Sequence, residues 1–138
     1  MAITKDESNW PIINVSLGEM FDQETVEEYI VYWEDLLSRR TPFGLIMQHS
    51  SEKNTRPERA VTQLYMSWCK RNKREIAQYC SGIAFVMQNA KLFAVYKPVT
   101  ALSTKRTYGC PGGAFAGESE AIRWLEEQLA KALSIEEI

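Results

Sequence analysis

Along this chain the spacing of apolar residues changes in a regular rhythm. Ile12 to Leu17, Phe43 to Met47 and Ile83 to Met87 are short alternating or continuous apolar runs, and a Gly-rich stretch leads to a fourth near Ala114. Each run is followed by a longer segment in which apolar positions recur every three or four residues. A period of two suits a strand and a period near 3.6 suits a helix. The rhythm therefore predicts an α/β sandwich, with helices laid over a small sheet.

The individual elements follow from the same pattern. Ile13, Val15 and Leu17 share one face of a first strand that Gly18 ends, and Pro11, lacking an amide hydrogen, belongs at its start or on an edge. Thr25 and Glu28 form a capping-box pattern for a first helix, with Asp22 as a rival cap. Val26, Tyr29, Ile30, Trp33, Leu36 and Leu37 then fall on one helical face, and Thr41-Pro42 stops the helix. Phe43 to Gln48 reads as a central strand covered on both faces. After the polar loop His49 to Arg56, Pro57 opens a second helix. Its stripe runs through Ala60, Val61, Leu64, Tyr65, Trp68 and Cys69 toward Ile76 and Tyr79, with a break expected near Asn72.

Gly82 to Met87 is the third strand. Leu92, Phe93, Val95, Tyr96, Val99 and Leu102 mark a third helix that Pro98 should kink or split. Thr107 to Gly113 is loop by composition, and Gly113 to Ala116 forms a short last strand. A final helix begins at Glu118 and Ser119, with Ala121, Ile122, Trp124, Leu125, Leu129 and Leu133 facing inward. Residues 1–9 read as a flexible polar tail, 10–134 as one domain and 135–138 as a second tail.

Composition narrows the function classes. With 138 residues, 45% hydrophobic and 25% charged, the chain suits one ordinary globular domain with a real core. A net charge of −2 gives no reason to expect nucleic acid or an anionic membrane as partner. No apolar run is long enough to cross a bilayer, and Met1 to Glu7 lacks the apolar centre of a secretory signal, so a cytoplasmic setting is expected. Cys69, Cys80 and Cys110 match neither a disulfide framework nor a zinc pattern, so neither metal nor cofactor is expected.

Candidate chemistry is sparse. His49, the only histidine, ends a buried strand, the edge at which open α/β sheets bind ligands and where an imidazole suits a general base. A hydrolase would pair it with Ser50, Ser51 or Cys110. Cys69 and Cys80 read as small buried hydrophobes. Gly109-Cys110-Pro111-Gly112-Gly113 lacks the Gly-Lys-Ser/Thr of a phosphate loop and reads as a turn. Lys70-Arg71-Asn72-Lys73-Arg74 is either a patch for an acidic or phosphorylated partner or a solvated helix end favoured by the C-terminal dipole. Of the four tryptophans, Trp33, Trp68 and Trp124 fall on helical stripes. Core packing accounts for them, whereas a cavity for an apolar small molecule would also recruit Tyr65 and Phe93.

The order of elements resembles a known family. A strand ending in Leu17-Gly18, the lead Met20-Phe21-Asp22-Gln23-Glu24-Thr25 into a long helix, and the closing run Ala114-Phe115-Ala116-Gly117-Glu118-Ser119-Glu120-Ala121-Ile122-Arg123-Trp124-Leu125 are similar to SpoIIAA-like (STAS-like) domains. The likeness spans Trp10 to Leu133 and implies a mixed sheet of four or five strands with about four helices, mainly on one face. It implies a non-enzymatic regulatory domain that binds a protein partner or itself, or a carrier for a lipid-like molecule between helices and sheet. In anti-sigma-factor antagonists of the wider group a serine at the start of the second helix is phosphorylated. Ser50 and Ser51 occupy the corresponding loop here, but Gln48-His49-Ser50-Ser51-Glu52 replaces the usual Asp-Ser-Ser-Gly lead. The partner surface implied is His49, Ser50, Ser51 and Arg56.

Overall fold

The structure, a computed structural model, describes residues 3–16, 22–49 and 58–136. Among these residues the elements are β1 (Thr4–Asp6), β2 (Ile12–Ser16), α1 (Gln23–Ser38), β3 (Phe43–His49), α2 (Arg59–Tyr79), β4 (Cys80–Met87), α3 (Ala90–Tyr108), β5 (Gly112–Phe115) and α4 (Glu118–Glu136). The sheet order is β1-β2-β3-β4-β5. β1 runs antiparallel to β2, and the remaining pairs are parallel. Parallel neighbours need a crossover, which α1, α2 and α3 supply in turn.

Strand alternation sorts the core into two layers. Ile13, Val15, Phe43, Leu45 and Ile83 face α1 and α2, where Val26, Tyr29, Trp33, Leu36, Tyr65, Trp68 and Ile76 close over them. Ile12, Ile46, Ala84 and Val86 face the other way, against Ala121, Leu125 and Leu129 of α4. Gly44 and Gly82 put no side chain beneath Leu125 and Trp124, so α4 settles close to the sheet. β3 is the middle strand and is covered on both faces, which explains its unbroken apolar run. Tyr108 at the end of α3 packs with the α1–α2 layer, so that among the described helices only α4 covers the opposite face.

Several local expectations are corrected. The α1 cap is Asp22, whose Oδ1 accepts from the Thr25 amide at 2.9 Å and the Thr25 hydroxyl at 2.7 Å. Thr25 is itself buried and sits inside the first turn. Thr4–Asp6, read as part of a flexible tail, is an edge strand, and neighbouring Ile3 is buried. The carboxylate of Glu7 anchors it by accepting both from the Arg39 guanidinium and from the Tyr32 hydroxyl. α2 does not break at Asn72. That side-chain amide donates to the Trp68 carbonyl at 2.9 Å, along the helix rather than against it. α3 continues through Pro98 as one helix and takes Thr107 and Tyr108 from the segment read as loop. α4 runs to Glu136, into the segment read as a C-terminal tail. Leu17, Gly18 and Pro57 lie outside the described residues.

Candidate functional site

The two ends of the sheet are chemically different. His49 is the last residue of β3 and pairs with Met87, while Phe43 at the start of β3 pairs with Cys80. The Cys110 thiol lies at that starting end, 4.0 Å from the Cys80 thiol. Seven residues of strand separate the two ends, about 20 Å at the usual rise per residue. The sheet register thus keeps His49 and Cys110 apart, and a His–Cys pairing of these residues is excluded by the topology. Ser50, Ser51 and Arg56, the rest of the expected partner loop, lie outside the described residues.

The thiols are built for packing. All three are buried and free. Burial pushes the Cys69 thiol up to about 12. Burial raises that of Cys80 well above its ordinary value, with Cys110 adding to the effect. A nucleophilic cysteine needs the opposite, an electropositive and partly open setting that favours thiolate. Among the described residues no three His, Cys, Asp or Glu side chains converge as a metal-ligating group.

The aromatic residues expected around a cavity do not share one. Trp33 stacks on Tyr108 at 5.8 Å and tilts against Trp68 at 6.0 Å, while Tyr65 stacks on Tyr29 at 5.5 Å. The Tyr65 and Tyr108 hydroxyls are 2.6 Å apart. These rings fill the α1–α2 layer themselves. Trp124 is on the other side of the sheet, against Phe115. Phe93 is half-buried on α3, under the Lys97 ammonium. A single pocket between helices and sheet lined by these five residues is therefore not formed.

The feature that sequence reasoning missed is the orientation of α3. Val95, Val99 and Leu102 recur at i, i+4 and i+7, the spacing of a buried stripe, yet they are 67%, 53% and 65% exposed. Tyr96 beside them is exposed as well. The inward row is Thr100, Thr104 and Tyr108. Its hydroxyls need no partner from the sheet. Thr100 Oγ1 donates to the Tyr96 carbonyl at 2.6 Å and Thr104 Oγ1 to the Thr100 carbonyl at 2.7 Å. With those bonds closed inside the helix, Thr104 can pack against the bare backbone of Gly112.

At helical spacing Lys91, Lys105 and Arg106 flank this outer row, whereas Lys97 lies over Phe93 on the other side of the helix. α3 carries Lys91, Lys97, Lys105 and Arg106 and no aspartate or glutamate, although the whole chain is net acidic. The absence of acidic residues from a helix with a strong apolar stripe was the sequence signal available for it. No helix among the described residues is long and apolar enough to cross a membrane.

The sequence matches no protein-family model and no curated protein. The crystal structure of an uncharacterized protein of the DUF3478 family with a SpoIIAA-like fold, from Shewanella loihica PV-4, superposes with a TM-score of 0.64 at 13% identity, covering 90% of this chain and 92% of that one. An enoyl-CoA hydratase from Mycobacterium smegmatis gives a TM-score of 0.44 at 8% identity, over 96% of this chain and 76% of that one, too remote in geometry to bear on the fold. The mixed five-stranded sheet with its four helices is a SpoIIAA-like fold.

Proposed function

We propose that this chain is a non-enzymatic interaction domain that docks an acidic, amphipathic segment of a protein partner on the outer face of α3. The observation that carries the reading is the row Val95, Val99 and Leu102, turned to solvent on a helix whose polar threonines are buried in its place. Apolar side chains in line along a helix, rimmed by charge, are the usual ground plan of an interface. The charged residues of α3 that flank this row, Lys91, Lys105 and Arg106, are all basic, which complements an acidic partner and disfavours a second copy of the same face. Separation of His49 from Cys110 and the suppressed acidity of the Cys69 and Cys80 thiols support a binding role over hydrolysis.

The test is capture from cells of origin, followed by rebinding of the identified partner in purified form. The partner's contact segment should combine apolar residues with Asp and Glu, and Val99→Glu or Leu102→Glu should weaken binding by on the order of 30-fold, as for residues central to an interface. Unchanged affinity in both variants would overturn the assignment. So would a monomer–dimer equilibrium abolished by these substitutions, because the occupant would then be a second copy.

A further inference from the structure

We propose that Arg40, Arg71 and Arg74 form a binding site for a phosphate monoester dianion, at the end of the sheet opposite the His49 loop. The three guanidiniums line a surface groove of about 370 Å³, completed by Glu75, Gln78 and Tyr79. Arg71, Arg74 and Gln78 follow at i, i+3 and i+7 on one side of α2, and Arg40 reaches the groove from the turn between α1 and β3.

Four observations point to a ligand. Among the described residues none of these arginines makes an ion pair, whereas neighbouring Arg39 pairs with both Glu7 and Asp35. The helix dipole does not account for the basic run. α2 continues to Tyr79, its last turn holds no basic residue, and the dipole's influence fades within that turn. Arg40 occupies the position just past the α1 cap in a left-handed conformation, φ 51, where glycine is the favoured residue. Arginine gains nothing from that backbone conformation, and its side chain lines the groove. Finally, three guanidiniums against the single Glu75 carboxylate leave two positive charges, the match for a dianion.

The chemistry fits phosphate closely. A planar guanidinium offers paired N–H donors that bind two phosphate oxygens at once. The Gln78 amide and Tyr79 hydroxyl, 3.4 Å apart, line the same groove and offer hydrogen-bonding groups to whatever the phosphate is esterified to. The groove volume suits a small phosphorylated molecule. The same headgroup chemistry is presented by a phosphorylated inositol lipid, and the two sources are separable by experiment.

The full chain is titrated with inorganic phosphate and with pyrophosphate, at ionic strength held constant with sodium chloride, while backbone and arginine side-chain NMR signals are followed. Saturable shifts should be confined to the neighbourhood of Arg40 and residues 71–79, with pyrophosphate binding the tighter. Arg71→Gln and Arg74→Gln should each weaken binding about tenfold. Arg40→Gly separates binding from folding: it relieves the left-handed backbone, so the melting temperature should hold or rise while affinity falls about tenfold. Lys131→Gln on α4 is the charge control and should change nothing. Binding of sugar phosphates but not of phosphoinositide-containing phosphatidylcholine vesicles assigns a free metabolite, and the reverse assigns a lipid headgroup. Shifts spread over all basic residues, loss in Lys131→Gln equal to that in Arg71→Gln, or an Arg40→Gly variant that binds as well as the parent would overturn the site. None of these outcomes touches the α3 interface, which is tested separately.

Discussion

Thr104 lies so close over Gly112 that a Cβ on residue 112 would overlap both the threonine hydroxyl and its Cβ. This contact sets how α3 is turned. Only the bare backbone of Gly112 admits Thr104, and with Thr104 inward Val95, Val99 and Leu102 point to water. The exposed apolar face of α3 is thus a consequence of a glycine on a neighbouring strand.

Gly112→Ala should therefore be among the most damaging single-methyl additions in the chain. Overpacking of this kind costs about 1–3 kcal/mol, and here both clashing atoms are stiff, so the upper end applies. Thermal melts of the variant give the measurement. Thr104→Ala added to Gly112→Ala should recover little, because the Cβ of residue 104 still occupies the contested space. Full recovery would mean that the hydroxyl alone holds the two elements apart.

The edge strand β1 should respond to acid. Arg39 holds the Glu7 carboxyl below its ordinary 4.5, with the Tyr32 hydroxyl helping. A carboxylate lowered in the folded state stabilises fully above its unfolded value, and the contribution fades as pH falls through the folded value. The Arg39 and Glu7 side chains are 30% and 36% exposed, so solvent screening limits the pair to roughly 0.5–1 kcal/mol. Melting temperatures of the parent and Glu7→Gln should differ at neutral pH and converge progressively below 4.5. A gap that persists unchanged in acid would show that the carboxylate charge is not what anchors β1.

Sequence periodicity carried most of the architecture. β3, β4, α1 and α4 are legible because each buries a stripe whose period matches its own backbone, and the acidic opening of α4 marks its first turn. What could not be read were choices of phase and side. The α3 stripe has the right period, but its burial depends on Gly112, a residue distant in the helix pattern and visible only as part of a turn-like run. The side of the sheet taken by α4 was equally hidden, since an inward stripe says only that something covers it. β1 was missed because Thr4, Lys5 and Asp6 are all exposed, and its anchor, Glu7 on Arg39, joins residues far apart in sequence. The arginine groove escaped for a related reason. The run from Lys70 to Arg74 offers both a phosphate patch and a solvated helix end, and nothing in it points to Arg40, which reaches the groove from the far side of β3 in sequence.

Alkali should be a more effective denaturant than acid. Burial raises the Cys69 and Cys80 thiols above their ordinary 9.0, and the Tyr29 and Tyr65 hydroxyls above their ordinary 10.0. Between the unfolded and folded values the native state keeps protons that the unfolded chain has released, so stability falls as pH rises. Each group adds a slope of at most about 1.4 kcal/mol per pH unit. Urea melts taken from neutral pH upward should show a decline that begins near 9 and steepens past 10. Cys69→Ala should flatten its first part, whatever it does to stability at neutral pH. In the native protein at neutral pH, a thiol reagent should label none of the three cysteines quickly, and all three after unfolding.

The aromatic layer offers a last test, because the indole N–H of Trp68 is buried with no hydrogen-bond partner among the described residues. A buried donor without an acceptor contributes nothing through hydrogen bonding and carries a desolvation cost. Trp68→Phe removes that donor while keeping a ring beside Tyr65, so the lost area and the relieved donor oppose one another. The net cost should be about 1 kcal/mol or less. Trp68→Ala removes the ring as well and should cost about 3–5 kcal/mol, in line with large truncations in cores. Chemical denaturation of the two variants gives both numbers. Near-equal losses would mean that the indole nitrogen has an acceptor after all, and that the layer is held by a polar contact rather than by the fit of its rings.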